Sequence, residues 1–509
     1  MNAAGFDEPQ ELRRSLSKPV WSVFRDKSAI DGIEAAFLNA IALGKVEIRT
    51  YFLSTSTPDQ YLSLLKKMKR GGQSLRNEDR ISNLPDALLL EILSSLPTKL
   101  VLATSVLSKR WRSLWKTMPN LAFTYNATND LKRFSDNVCK CLLSQQAPVL
   151  QSLLLKIDFD DESSIDYDIG ILLGVAFGLH VRELNLEVNS RKVCPPRFHL
   201  PRYHRENLFG FPQSLYNCGT LETLKLSHDV LIDIPFPVCL KSLRTLRLNG
   251  VRYKDDESVV NLLKGCSRLE NLEVNLLTQS DVKTFTIDFP YLQRLNIYSV
   301  GEVLYVVKAP SLKYLKVSGF IDFDSILIGN TPELEKANIQ IAYTIYDYNL
   351  ESFTSVKRLS LLTPEPITFP IGSIFYRLVH LELDTYNAEW WKLVMLMLDA
   401  SPKLQALKLT GFGPRSEEED DVSDHGEEDD VAYEKWSQPK NVPVCLLLHL
   451  QTLVWESYES QREEDKEVAK YILRNASHLK EATFISVMGS VGECESMVRG
   501  SSSCQLVFK

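Results

Sequence analysis

No apolar run in this chain reaches the length needed to span a bilayer, so nothing in it reads as a transmembrane helix, and no membrane partner is expected. The opening residues, MNAAGFDEPQELRRSL, contain no apolar core of a signal peptide. Nine cysteines are scattered among 509 residues, their count is odd, and no pair has zinc-ribbon spacing. The expectation is reduced thiols in an intracellular protein, in the cytoplasm or the nucleus. There is no glycine-rich phosphate loop, no HExxH and no GxSxG. The usual marks of a nucleotide-binding, metalloprotease or serine-hydrolase centre are therefore missing. Most of the eight histidines fall in loops or beside strands, where a structural role is expected. No catalytic residue, metal ligand or cofactor is expected. A broad basic field is missing as well. The net charge is -7, yet Ser416–Asp430 alone carries ten acidic residues and no Lys or Arg, so the remainder stands at +3. That near-neutral remainder does not point to nucleic acid.

What the chain has instead is leucine at a repeating interval. Apolar, two others, apolar, one other, apolar occurs at Leu221-Leu224-Leu226, Leu243-Leu246-Leu248, Leu269-Leu272-Val274, Leu292-Leu295-Ile297 and Leu312-Leu315-Val317. It continues at Leu334-Ala337-Ile339, Val356-Leu359-Leu361, Leu378-Leu381-Leu383 and Leu404-Leu407-Leu409, with successive starts 20 to 26 residues apart. Weaker copies start at Leu150, Val181, Leu450 and Leu479. This is the signature of leucine-rich repeats. Each unit is a short strand that cannot bury its leucines alone, so the units must stack into a solenoid. The marker Asn or Cys of the commonest repeat types is mostly missing, which predicts irregular returns. Residues between the leucines face the other side of the strands. Arg247, Arg294, Tyr298, Tyr314, Lys316, Lys336 and Arg358 lie in that row, which is expected to hold a target protein or peptide. The acidic stretch cannot build a core and reads as a disordered loop over 413–432.

A second feature precedes the repeats. DRISNLPDALLLEILSSLP, residues 79–97, packs six leucines and two isoleucines into nineteen residues. Pro85 suits the first position of a helix and Asp86 its positive end. Leu88, Leu89, Ile92, Leu93 and Leu96 recur at helical spacing. Pro97 stops that helix, Thr98 is expected to cap a second, and Ser108 a third bearing Trp111, Leu114 and Trp115. Three such short helices expose more apolar surface than they can cover, which calls for a partner. The run LPDALLLEILSSLPTK with ATSVLSKRWRSLW resembles the F-box, in the plant form ending SVLSKRWR. The positions matching that family's adaptor-binding motif are Leu84, Pro85, Ile92, Leu93, Leu96, Pro97, Val106, Leu107, Ser108, Lys109 and Trp111; Leu88 joins them on the first helix. Many relatives have an acidic residue where this chain has Leu100.

The region EKWSQPKNVPVCLLLHLQTLVWESYESQREEDKEVAKYILRNASHLKEATF resembles the FBD domain of plant F-box proteins. Trp436, Gln438, Pro439, Cys445, Trp455, Tyr458, Tyr471 and Asn475 are among the matching features, and Glu459 stands where the family often has Gly. The residues read as strand, loop, amphipathic helix and last strand, one more long repeat able to cap the solenoid. The fold class expected is α/β, a short three-helix F-box followed by an irregular leucine-rich-repeat solenoid capped by an FBD region. The expected division is 1–78 as a partly disordered extension, 79–122 F-box, 145–412 repeats, 413–432 acidic loop, 433–486 FBD and 487–509 tail. One helix is expected in the extension, over STPDQYLSLLKKMKRGG, residues 56–72. The resemblance implies a non-catalytic substrate receptor of an SCF-type ubiquitin ligase, binding a Skp-type adaptor and through it cullin and a RING protein. The alternative is an F-box scaffold or decoy acting outside a ligase.

Overall fold

The structure, a computed structural model, describes residues 84–94, 96–105, 108–126, 130–159, 165–190, 208–276, 282–301, 303–320, 325–341, 350–362, 374–385, 390–411, 436–459, 462–486 and 498–509. The helix expected over 56–72, the acidic stretch, Val106 and Leu107 lie outside the described residues. The chain divides into two compact units, Met1–Val230 and Leu231–Lys509.

The first unit opens with helices α1 (Asp86–Ser94), α2 (Thr98–Thr104) and α3 (Lys109–Leu114). Strands Asn120–Asn126, Ser152–Phe159, Glu183–Ser190 and Thr223–His228 then lie side by side, all parallel. Leu121, Leu153, Leu184 and Leu224 share one row of the ladder, and Phe123, Leu155, Leu186 and Leu226 the next but one. Parallel neighbours need a crossover. Here α4 (Leu131–Leu143) and α5 (Ile165–Phe177) supply it and pack on each other. Asp130 caps α4 by accepting the Arg133 N–H at 3.2 Å.

The second unit repeats that design with strands Thr245–Asn249, Asn271–Leu276, Arg294–Val300, Tyr314–Phe320, Lys336–Ile341, Arg358–Leu362, His380–Asp384 and Ala406–Thr410. Thr452–Glu456, Glu481–Ile485 and Gln505–Phe508 extend the same parallel ladder. The middle apolar residue of every repeat falls in one row: Leu246, Leu272, Leu295, Leu315, Ala337, Leu359, Leu381, Leu407, Leu453, Ala482 and Leu506. From Leu246 to Ala482 that row is buried. Each buried leucine contributes about 1.5–3 kcal/mol relative to exposure. A one-residue slip would turn every such side chain to the opposite face, so the leucine interval specifies the register. The four weaker copies are strands too, at Ser152–Phe159, Glu183–Ser190, Thr452–Glu456 and Glu481–Ile485.

Two strands went beyond the expectation. Asn120–Asn126 carries the repeat pattern as Met118-Leu121-Phe123, hidden because those residues read as the end of the helical unit. Gln505–Phe508 lies in the expected tail, and Ser503 stands where its repeat would begin with leucine.

The returns of the second unit are irregular, as expected, but not uniform. They include α6 (Asp256–Lys264), a three-stranded parallel sheet, α7 (Trp390–Ala400), α8 (Val444–Leu448) and α9 (Glu463–Asn475). The small sheet pairs Thr284–Asp288 with Leu304–Lys308, and that strand with Ile326–Ile328. Its legible signal was apolar alternation closed by proline, in FTIDFP, LYVVKAP and ILIGNTP. Phe285 and Tyr305 pair across it with ring centroids 5.7 Å apart, both buried. At Gly319, φ is +119°, and a Cβ would overlap the Ser299 carbonyl oxygen of the next strand. Only glycine fits that close approach.

Candidate functional site

Two surfaces carry the residues singled out in the sequence, one in each unit. In the first, α1 is divided lengthwise. Leu89 and Leu93 are fully buried and, with Val101, Trp111 and Leu114, form the core on which α1 and α2 meet α3. Leu88 is 47% exposed. Leu84, Ile92 and Leu96 are half-buried, and Pro85 and Pro97 exposed. Residues four apart share a helix face, so Leu88 and Ile92 make an outward apolar stripe over an inward pair. Ser108 and Lys109 are exposed beside it. Leu93 and Trp111 belong to the internal core, so they cannot offer their side chains to a partner as they stand.

Capping follows the sequence in one case and departs from it in another. Ser108 accepts the Trp111 N–H at 3.4 Å and caps α3. Pro97, not Thr98, is the N-cap of α2. The buried Thr98 hydroxyl instead accepts the Ala122 N–H at 2.7 Å, tying α2 to the first strand. Arg110 was not singled out. Its guanidinium meets the Asp86 carboxylate at 2.6 Å and also donates to the Leu84 carbonyl. It thereby clamps the start of α1 to α3 and fixes the outward stripe.

In the second unit, the face opposite the leucines carries registered polar rows. One contains Asn271, Arg294, Tyr314, Lys336, Arg358 and His380. The next contains Arg247, Glu273, Asn296, Lys316, Asn338, Ser360, Glu382 and Lys408. Tyr298 sits in a third row beside Asn275 and Ser318. All seven residues expected to hold a target therefore share this face. The Arg294 guanidinium carbon lies 4.5 Å from the Tyr314 ring centroid, and the Lys336 ammonium 5.6 Å from it, a cation–π pairing on both sides. Burial, and then the Arg358 charge, hold the His380 imidazole below its usual range.

The residues that carry the FBD resemblance are packing residues. Trp455, Tyr458 and Phe484 are fully buried. The Trp455 ring lies 5.3 Å from Trp390, 5.3 Å from Tyr458 and 6.2 Å from Phe484, and Phe508 stacks on Phe484 at 5.8 Å. Trp436 bridges Trp391 and Tyr471 at 5.4 and 5.7 Å. Glu459, in the place of the family's Gly, donates its N–H to Asp465 at 3.1 Å, and its carboxylate takes the Arg462 guanidinium at 2.8 Å.

Asp465 is only 2% exposed, and its second carboxyl oxygen has no hydrogen-bond partner among the described residues. Burial pushes its carboxyl up to about 7. A folded-state value above the unfolded value means that the folded chain holds the proton longer. This contribution to stability is full below about pH 4, declines as pH rises, and is lost through about pH 7. Asp465→Asn stays neutral at every pH. It is expected to leave stability near that of the parent at about pH 4 and to raise it by roughly 2–4 kcal/mol at pH 8. Urea midpoints at the two pH values check this; equal midpoints for both proteins at pH 8 would show that folding does not raise the Asp465 carboxyl.

Burial pushes the Cys266 and Cys445 thiols up to about 12 and Cys141 up to about 11, which makes poor nucleophiles of them. No group of three or more His, Cys, Asp or Glu among the described residues is placed to hold a metal ion, and no described helix is long and apolar enough to cross a membrane.

Three short helices followed along the chain by parallel strands of regularly spaced leucines define a leucine-rich-repeat protein. Comparison with known proteins makes this specific. The F-box domain model matches residues 81–123, the FBD model residues 438–484, and the model of the LRR repeats of FBD-associated F-box protein At5g56370 residues 180–339. F-box/FBD/LRR-repeat protein At3g26920 of Arabidopsis thaliana is 51% identical over 459 residues, covering 87% of this chain and 99% of the relative. F-box/FBD/LRR-repeat protein At3g52680 of the same plant is 47% identical over 464 residues, covering 86% and 96%. The chain belongs to the plant F-box/FBD/LRR-repeat protein family.

Proposed function

We propose that this chain is the substrate-recognition subunit of an SCF-type cullin-RING ubiquitin ligase. The helices α1–α3 dock on a Skp-type adaptor, and through it on cullin and the RING protein. The polar strand face of the second unit holds a target protein. The FBD region, whose aromatic side chains are buried between layers, serves as packing for the end of the repeats. The observation that carries this reading is the split of α1. Leu89 and Leu93 complete the internal core, while Leu88 and Ile92 lie outside it. A surface helix does not need the outer pair for its own folding, and such a stripe suits a partner's groove.

The proposed contact face comprises Leu84, Pro85, Leu88, Ile92, Leu96, Pro97, Ser108 and Lys109. The mechanism is positioning. Holding a target near a ubiquitin-conjugating enzyme raises the effective concentration of its lysines, and no residue of this chain transfers ubiquitin. The test is co-purification of the full chain with a Skp-type adaptor and cullin, expected as a stable complex. A folded chain that captures no adaptor would sink the reading. Capture of adaptor without cullin would favour a scaffold outside the ligase.

A further inference from the structure

Of the eight Lys and Arg on the described strands of the two ladders, four have a carboxylate across the ladder. Lys156 pairs with Glu187 at 3.7 Å, Lys225 with Glu183 at 2.6 Å and Arg247 with Glu273 at 3.4 Å. Lys408 is held between Glu382 at 3.0 Å and Glu456 at 3.1 Å. The exceptions are confined to four consecutive strands, Arg294–Val300, Tyr314–Phe320, Lys336–Ile341 and Arg358–Leu362. Arg294, Lys316, Lys336 and Arg358 have no carboxylate partner among the described residues. These four strands carry no Asp or Glu at all. Glu335, just ahead of the third strand, is engaged by Lys357 at 2.7 Å. Four cations therefore stand uncompensated on one exposed face, with the Tyr314 ring between two of them.

We infer that this patch is the recognition site for a short acidic segment of a target protein, its carboxylates taken by Arg294, Lys316, Lys336 and Arg358. The inference rests on the proposal that the strand face holds the target and adds the chemistry of what it holds. Size and surroundings favour a peptide over a nucleic acid. Neighbouring strands lie about 4.8 Å apart, so Arg294 to Arg358 spans about 14 Å, the reach of four or five extended residues. Glu273 borders the patch on one side and Glu382 on the other, in register with Lys316. A nucleic acid strand, with a charge about every 3.4 Å, would continue past the patch over Glu273 and Glu382, where Arg247 and Lys408 are already taken by carboxylates and leave its phosphates unmatched. A peptide with a few clustered acids ends where the patch ends. The Tyr314 ring, lying against both Arg294 and Lys336, spaces those two cations.

The test uses the full chain and a fluorescent peptide of alternating Glu and Ser, read by anisotropy. Binding is expected, weakening as salt rises, and absent for the same peptide with Gln in place of Glu. Arg294→Ala, Lys316→Ala, Lys336→Ala and Arg358→Ala should each weaken it about two- to fivefold, and all four together at least about tenfold. Lys336→Arg should keep the parent affinity. Lys156→Ala and Lys225→Ala, which remove cations already paired and outside this face, should stay within about twofold. Equal loss from the paired and unpaired cations would overturn the assignment, as would equal affinity for a single-stranded oligonucleotide. Peptide binding that emerges only after deletion of residues 416–430 would reassign the face to this chain's own acidic stretch. Adaptor capture is the control that separates the two readings. If the adaptor binds and the peptide does not, this inference falls and the ligase reading stands.

Discussion

Leu88→Asp combined with Ile92→Asp is expected to abolish capture of a Skp-type adaptor while leaving the chain folded. Both side chains sit on the outward stripe of α1, away from the Leu89, Leu93 and Trp111 core. Substitutions at exposed positions away from core packing, caps and ion pairs usually change stability within about 0.5 kcal/mol. Leu88 is exposed in the free chain and Ile92 half-buried, so the pair is expected to cost somewhat more than that, without reaching the loss from a core position. In the complex, the same positions would place two carboxylates in a sealed apolar contact. An unpaired buried charge costs about 3–5 kcal/mol, and every 1.4 kcal/mol is tenfold in affinity, so the loss should exceed about a hundredfold. Leu93→Ala is the instructive contrast. Leu93 is fully buried, and emptying its site should cost about 2–5 kcal/mol of stability, so any loss of adaptor would come with a loosened helical unit. Titration calorimetry with the adaptor, alongside thermal melts, separates the two. An unchanged affinity for the double Asp variant would show that the contact face lies elsewhere.

Trp455→Ala is expected to have the largest effect on stability. Trp455 is fully buried among Trp390, Tyr458 and Phe484. Truncating it leaves a cavity the size of an indole and removes three ring contacts at once. Such changes cost about 3–5 kcal/mol, a large part of a typical domain's stability. In a stacked ladder, each strand depends chiefly on its neighbours. The damage should therefore concentrate in Thr452–Glu456, Glu481–Ile485 and Gln505–Phe508, where hydrogen exchange should quicken most. Strands near Arg294 should keep their protection longer. Uniform loss of protection along the ladder would contradict that local picture, and an unchanged urea midpoint would show that the cluster is not a support.

Both expectations depend on a division of labour that was partly legible beforehand. Leucine at intervals of 20 to 26 residues dictated the inner strands, because a strand has only two faces and the apolar one must be buried. The weaker copies at Leu150, Val181, Leu450 and Leu479 obeyed the same rule, and the register rows confirm it. The helical unit was legible for a similar reason. Its apolar residues exceed what three short helices can hide, and Ser108 is a serviceable cap wherever α3 begins.

The returns were not legible to the same degree, since helix, strand and turn all close a repeat of this length. Packing against the leucine layer selected α6 in one place and the strand Thr284–Asp288 in the next. Thr98 shows the same limit on a smaller scale. Its hydroxyl suits a cap, but the Ala122 N–H, 24 residues away, claimed it. Leucine spacing is enough to set the ladder, its register and the helical unit with its surplus of apolar side chains. Which of those side chains turn outward, and which cations meet a carboxylate, follows from packing and strand order. Arg247 and Glu273 are 26 residues apart and become partners solely through cross-strand register, whereas Arg294 and Lys316 receive none among the described residues. That pairing depends on which strand stands next to which, and no local pattern contains it.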